Sequence, residues 1–176
     1  ISGTTGSNDF PTTPGCYDPS FNGANAGELD MFVAKLSPSG GLLYSTYLGG
    51  STGSDTNSGL VLGPTGRVYV HGNGGGNYPT TVGSYSPTWN GAGDVVLSVL
   101  ALAGGGPADL VYSTFLGGND HDESHGLAVD GGGNAFVGGA TRSSNFPAGG
   151  GPPFNGSFDA FLAEIAPLGG GATDLL

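Results

Sequence analysis

Between positions 119 and 125 the sequence reads Asn-Asp-His-Asp-Glu-Ser-His, the densest polar run in a chain of 176 residues. Asp120, Asp122 and Glu123 together would offer the oxygen ligands that calcium takes. His121 and His125 would instead suit a transition metal. Neither pattern is specific. The spacing of an EF-hand loop is missing, and His-x-x-x-His converges on one ion when it lies on a helix, whereas glycines flank this run. The corresponding stretch upstream, 51–58, carries Asp55 as its only acid, so a ligand set repeated along the chain is not expected. The run reads first as a solvated connection between strands. Ser124, His125 and Asp122 make a hydrolytic triad on paper. Neighbours on a strand point to opposite faces, however, and there is no G-x-S-x-G elbow.

The remaining candidates are scattered. Asp30, Asp94 and Asp159 recur at the starts of three apolar runs, and an Asp beside a turn is expected to hold backbone N–H groups. A pair of carboxylates for glycoside hydrolysis needs a separation of about 5–10 Å in a pocket, which spacing along the chain does not supply. The Gly runs at 74–76, 104–106, 131–133, 149–151 and 169–171 precede no helix, so they are not phosphate cradles. His71 stands where its copy has Gly138 and is expected to be a packed or rim residue. Cys16 is the only cysteine; it is either a half-buried thiol or one partner of an intermolecular bridge. Asn155-Gly156-Ser157 is a formal glycosylation sequon and also a turn signal. No catalytic residue and no cofactor is expected, calcium at Asp120, Asp122 and Glu123 being the alternative.

These residues must be held by β structure. Gly contributes 38 residues and Pro 12, yet 36% of the chain is apolar, and the Gly clusters alternate with β-branched and aromatic runs. No window carries the 3.6-residue helical period. The net charge is −11, with Lys35, Arg67 and Arg142 the only cations besides histidine. Three scattered cations cannot replace the counterions of a nucleic acid or attract the chain to an anionic membrane. No apolar run is long enough to span a bilayer as a helix.

One unit recurs. Asp-Phe-Pro-Thr-Thr-Pro-Gly at 9–15 matches Asn-Tyr-Pro-Thr-Thr-Val-Gly at 77–83 and Asn-Phe-Pro-Ala-Gly-Gly-Gly at 145–151, at a spacing of 68. Asn-Gly follows at 22–23, 90–91 and 155–156, and the Asp30 series opens the runs 31–38, 95–102 and 160–167. LLYSTYLGG at 42–50 matches LVYSTFLGG at 110–118. Each unit thus holds four short strands, in the order GLAVD, AFVGGAT, DAFLAEI, LVYSTFLG, with a period of about 65 residues. Four antiparallel strands per repeat form the blade of a β-propeller. The units are 31–94 and 95–159, preceded by the end of a first blade at 1–30 and followed by a partial unit at 160–176. Along the third strand Phe161, Ala163 and Ile165, with their copies Phe32, Ala34, Leu36 and Val96, Ser98, Leu100, should face a neighbouring blade. Glu164, copied as Lys35 and Val99, should sit at a rim or in solvent.

The phrases LLYSTYLGG, LVYSTFLGG, HGLAVDGGGNAFVGGATRSSNFP, DFPTTPGCYDPSFNG and DMFVAKLSPSGG resemble the bacterial seven-bladed β-propeller repeat family called SBBP. The resemblance implies tandem blades in a large secreted or cell-surface protein and no particular chemistry. The middle unit departs from it, reading VVLSVLALAGG in place of FVAKLxPxG. About 2.75 blades are present where closed propellers hold four to eight, and an uncovered blade leaves open edges. Ile1 is no initiator, so a mature or excised segment is expected. Its blades would be completed by further blades of the same polypeptide or by copies of the chain in a homo-oligomer or filament. The expected role is a non-catalytic, extracellular or surface-exposed structural or adhesion module. The competing role is a calcium- or carbohydrate-binding module, with glycans as partners.

Overall fold

A computed structural model describes residues 1–147, 151 and 153–176. The Gly-rich tail at 148–150 and Pro152 lie outside the described residues. Among the described residues, ten strands form three antiparallel sheets. The first sheet has the order β1 (Ser2–Thr5), β2 (Asp30–Leu36), β3 (Leu42–Leu48). The second has β4 (Thr56–Leu62), β5 (Val68–Gly74), β6 (Asp94–Leu100), β7 (Leu110–Leu116). The third pairs β8 (Asp122–Val129), β9 (Ala135–Thr141) and β10 (Asp159–Ile165). The second sheet is thus the four-stranded blade that the repeat predicts, in the predicted order. Its strands span 56–116, so the sequence units 31–94 and 95–159 cut across sheets. A period fixes the length of a repeat and leaves its starting point free.

Local chemistry sets the turns. Between β4 and β5, Gly63 N–H donates to Arg67 O at 2.9 Å, and Thr65 and Gly66 adopt φ of 63° and 77°. Between β8 and β9 the Asp130 side chain accepts the N–H groups of Gly132 and Asn134, both at 2.8 Å. The strand read from Gly-Leu-Ala-Val-Asp, at 126–130, is longer than its apolar core predicts. It starts at Asp122 rather than Gly126, with a register shift between Ser124 and Gly126. The segment 122–125 is therefore strand and not a solvated connection.

The sheets are stacked face to face through two apolar clusters. Met31, Val33 and Leu48 of the first sheet meet Val68, Val70, Val96, Leu100 and Phe115 of the second. On its other face the second sheet presents Tyr69, Val95, Leu97, Val99 and Tyr112 to Ala135, Val137, Ala163 and Ile165 of the third. The alternation predicted for β10 and β6 therefore packs as expected, and the opposite face of β6 packs too. Val99 is consequently fully buried, against the expectation of a rim position drawn from Glu164 and Lys35. Leu36, expected to be on a packed face, is exposed, next to a register shift between Lys35 and Leu36.

Two of the repeated phrases bind each other. Each outermost strand, β3 and β7, has its free edge covered by the connection that leaves the blade's second strand. Thr13 N–H donates to Ser45 O at 3.1 Å while Ser45 N–H donates to Thr13 Oγ1 at 3.0 Å. Thr81 and Ser113 repeat the exchange, both bonds at 3.0 Å. Thr46 Oγ1 accepts Asp18 N–H and Thr114 Oγ1 accepts Ser86 N–H, both at 2.8 Å. The Tyr44 and Tyr112 hydroxyls accept the N–H groups of Tyr17 and Tyr85 at 2.8 and 3.1 Å. Tyr-Ser-Thr and Pro-Thr-Thr are thus the two halves of a clasp that removes an exposed sheet edge.

Candidate functional site

Burial separates the members of the 119–125 run. Asp122 is fully buried: Thr141 Oγ1 donates to its Oδ1, while Ser143 Oγ and Gly118 N–H donate to Oδ2 at 2.9 and 2.7 Å. Glu123 lies on the other side of the strand between two imidazoles, with His121 Nε2 3.1 Å from Oε1 and His125 Nε2 3.2 Å from Oε2. Asp120 Oδ1 accepts the N–H of His121. Asp120, Asp122 and Glu123 do not converge. Among the described residues no three His, Cys, Asp or Glu side chains are placed to hold one ion.

The paper triad also divides. Ser124 Oγ lies 2.5 Å from Nδ1 of His71, a residue of the preceding sheet, while the His125 side chain is exposed. Both Ser124 and His71 are buried, and burial lowers the His71 pKa, favouring its neutral form. Asn73 completes this contact: its Oδ1 accepts Ser124 N–H at 3.3 Å and its Nδ2 donates to Asp122 O. His71 is thus a cross-sheet tie. Cys16 is a buried free thiol.

The recurring aspartates do what their position predicts. Asp30, Asp94 and Asp159 each use Oδ2 to accept the N–H of the Asn in the Asn-Gly turn, from Asn22, Asn90 and Asn155 at 2.8, 2.9 and 2.8 Å. What sequence reasoning missed is the second carboxylate. Asp55, at the start of β4, faces Asp30 of the preceding sheet, and Asp122, at the start of β8, faces Asp94. A Cβ on Gly49 would lie 2.5 Å from Asp30 Oδ1 and 2.9 Å from Asp55 Oδ2. One on Gly117 would lie 2.7 Å from both Asp94 Oδ1 and Asp122 Oδ2. The first Gly of each Leu-Gly-Gly phrase therefore leaves room for two acids. The second donates its N–H to the following sheet's Asp, Gly50 to Asp55 Oδ2 at 2.6 Å and Gly118 to Asp122 Oδ2 at 2.7 Å.

Electrostatics follow from that enclosure. Burial, with Asp30 and Glu28 nearby, pushes Asp55 up to about 7. Burial, with Asp122 nearby, pushes Asp94 up to about 6. A second tie repeats further out. Tyr112 OH donates to Asp174 Oδ2 at 3.1 Å, and burial raises its own pKa to about 12. Asp109 stands in the equivalent place against Tyr44. Burial pushes Asp109 up, but the Tyr44 hydroxyl and the N–H groups of Gly105, Gly104 and Ala103 outweigh it and leave its pKa lowered.

Residues 111–147, which include most of β7 and all of β8 and β9, match the family model described as SBBP: Beta-propeller repeat. That segment is similar to an SBBP repeat. Three stacked antiparallel sheets, one with the full four strands, are the architecture of a partial β-propeller. No curated protein matches the chain. The SBBP phrases thereby gain a physical content: clasp, glycine gap and paired acids all lie where one blade meets its own connection or the next blade. No helix is long and apolar enough to cross a membrane among the described residues.

Proposed function

We propose that the chain is a non-catalytic structural or adhesion module of a secreted or surface-exposed protein. Its open blade faces would be completed by further SBBP blades, supplied by copies of the chain or by the rest of a longer polypeptide. One observation carries this reading. Leu162 of β10 is 77% exposed, whereas its counterparts Val33 and Leu97 are buried beneath the following sheet at 1% and 0%. The exposed face that carries Leu162 is the one a next blade would cover, and a cavity of about 780 Å³ runs along β10 beside it, lined by Phe146, Phe154, Phe161, Leu162, Leu175 and Leu176. Low charge and abundant Ser, Thr and Gly favour a durable extracellular setting. Light scattering and negative-stain microscopy of the purified chain at micromolar concentration test the proposal. Rings, filaments or discrete oligomers are expected, and a well-folded monomer would overturn it.

A carbohydrate-binding role is the second reading. It rests on a cleft of about 430 Å³ where Trp89, His121, Asn73 and Thr52 surround glycine backbone. Trp89 is 44% exposed and its ring offers an amphipathic platform. A glycan panel read by calorimetry with Trp89→Ala as control separates the two.

A further inference from the structure

The hydrogen bonds of the paired aspartates are unequal in the same way at both junctions. Asp55 has both oxygens occupied, Oδ2 by Gly50 N–H at 2.6 Å and Oδ1 by Gly75 N–H at 2.9 Å. Asp122 is likewise occupied, by Gly118, Ser143 and Thr141. Their partners are each half satisfied. Asp30 and Asp94 are fully buried, and Oδ1 of each has no hydrogen-bond partner among the described residues. That orphan oxygen and Oδ2 of the facing carboxylate border the same space, the one a Cβ on Gly49 or Gly117 would fill. A buried, unpartnered carboxylate oxygen beside a second carboxylate is unfavourable on two counts, desolvation and like charge.

One atom removes both. We propose that each blade junction holds a bound proton, shared by an acid–carboxylate pair: Asp30 Oδ1–H donates to Asp55 Oδ2, and Asp94 Oδ1–H donates to Asp122 Oδ2. The pair then carries one negative charge in place of two, and every buried oxygen has a partner. The rest of the surroundings agree. Around the first pair the nearby charged groups are Asp18 and Glu28, both acidic. Near the second, besides Asp122, stands His121, which favours ionisation. Burial is the main cause that pushes Asp55 up to about 7 and Asp94 up to about 6, with the neighbouring acids adding to it. Each shared proton ties one sheet to the next. It is a device that locks the seam between blades in mild acid and loosens it as the proton leaves.

The sign of the effect is fixed. A carboxyl whose pKa is raised on folding binds more protons folded than unfolded, so stability falls with rising pH. The loss runs from the unfolded value of 3.8 up through about 7. Thermal melts of the wild type and of the double variant Asp30→Asn/Asp94→Asn test it. The variant keeps the oxygen that accepts Asn22 or Asn90 and puts an N–H where the proton would be, at every pH. The wild-type midpoint is expected to fall by on the order of 5–10 °C between pH 5 and pH 8, while the variant stays near its acid value. A parallel fall in both would overturn the proposal, because the other carboxylates are common to the two proteins. Should the variant not fold, infrared spectra of the wild type decide. A protonated-carboxyl C=O band persisting at pH 6, where exposed carboxylates are ionised, supports the pairs, and its absence at that pH overturns them. Millimolar calcium at pH 8 supplies the last arm. Recovery of the acid midpoint would overturn the proposal in favour of a cation site, and no recovery supports it.

Discussion

Glycine in this chain is used for space as much as for backbone freedom. Gly117 has no unusual φ, yet a Cβ there would meet Asp94 Oδ1 and Asp122 Oδ2, both at 2.7 Å. Neither acid can retreat, since Asp94 is held by Asn90 N–H and Asp122 by three donors. Gly117→Ala is therefore expected to cost about 1–3 kcal/mol, the range for overpacking a closed site. Gly126 is the contrast: a Cβ there meets nothing within 4 Å, and it lies on the same strand as Asp122. Gly126→Ala should change stability by no more than about 0.5 kcal/mol. Urea unfolding of the two variants checks the difference, and equal losses would mean that the space beside Gly117 is not what the two acids require. The same comparison explains why the double glycine follows Tyr-Ser-Thr-x-Leu in both copies. One gives the acids room, the other gives its N–H to the next blade.

The clasp on the outer strand shows how far an element can be read from its letters. Thr81 holds β7 by two backbone-directed bonds, donating N–H to Ser113 O and accepting Ser113 N–H at Oγ1, both at 3.0 Å. Thr81→Val keeps the shape and the first bond but strands the Ser113 N–H. A loss of about 1–2 kcal/mol is expected, with faster hydrogen exchange at Ser113 while the β5–β6 amides stay protected. Unchanged exchange at Ser113 would mean that the edge is held some other way. In the sequence, the strands of this blade were legible, because turn residues and period-2 alternation punctuate each one. Their antiparallel order was legible from the repeat. The role of Asp30, Asp94 and Asp159 was legible too, since an Asp a few residues after Asn-Gly has backbone N–H groups within reach. The clasp was not, for Pro-Thr-Thr and Tyr-Ser-Thr stand 32 residues apart and nothing in either phrase names the other. The partner acids were also hidden. Asp55 and Asp122 sit at different offsets from their glycine pairs, and in the second copy neighbouring Asp120, Glu123 and two histidines drew attention to a metal set. Which face of β6 is buried could not be read either, because a blade with neighbours on both sides has no solvent face to mark with polar residues.

Stacked sheets leave two end faces, and these two are unlike. On the first sheet Phe10 lies over Phe32 with ring centroids 4.4 Å apart, so the chain partly covers its own end. On the third sheet the corresponding aromatic pair, Phe146 and Phe161 at 4.5 Å, repeats on the face turned inward, while Leu162 is left 77% exposed on the other. An apolar side chain buried in the core contributes about 1.5–3 kcal/mol, so each sheet gains by covering the next, and the third has the most to gain. This separates association from stability. Leu97, the buried counterpart, supports the fold itself: Leu97→Ala should cost about 2–5 kcal/mol and lower the thermal midpoint at every concentration. Leu162→Lys removes nothing from the folded chain, so its midpoint under dilute conditions should match the wild type within about 0.5 kcal/mol. Its assemblies, however, should shrink or vanish, because a lysine on that face must be desolvated beneath an incoming blade. Sedimentation velocity across a concentration series reads the split. If Leu162→Lys sediments as the wild type does, the exposed leucine is not where copies meet, and the blades are completed elsewhere on the surface.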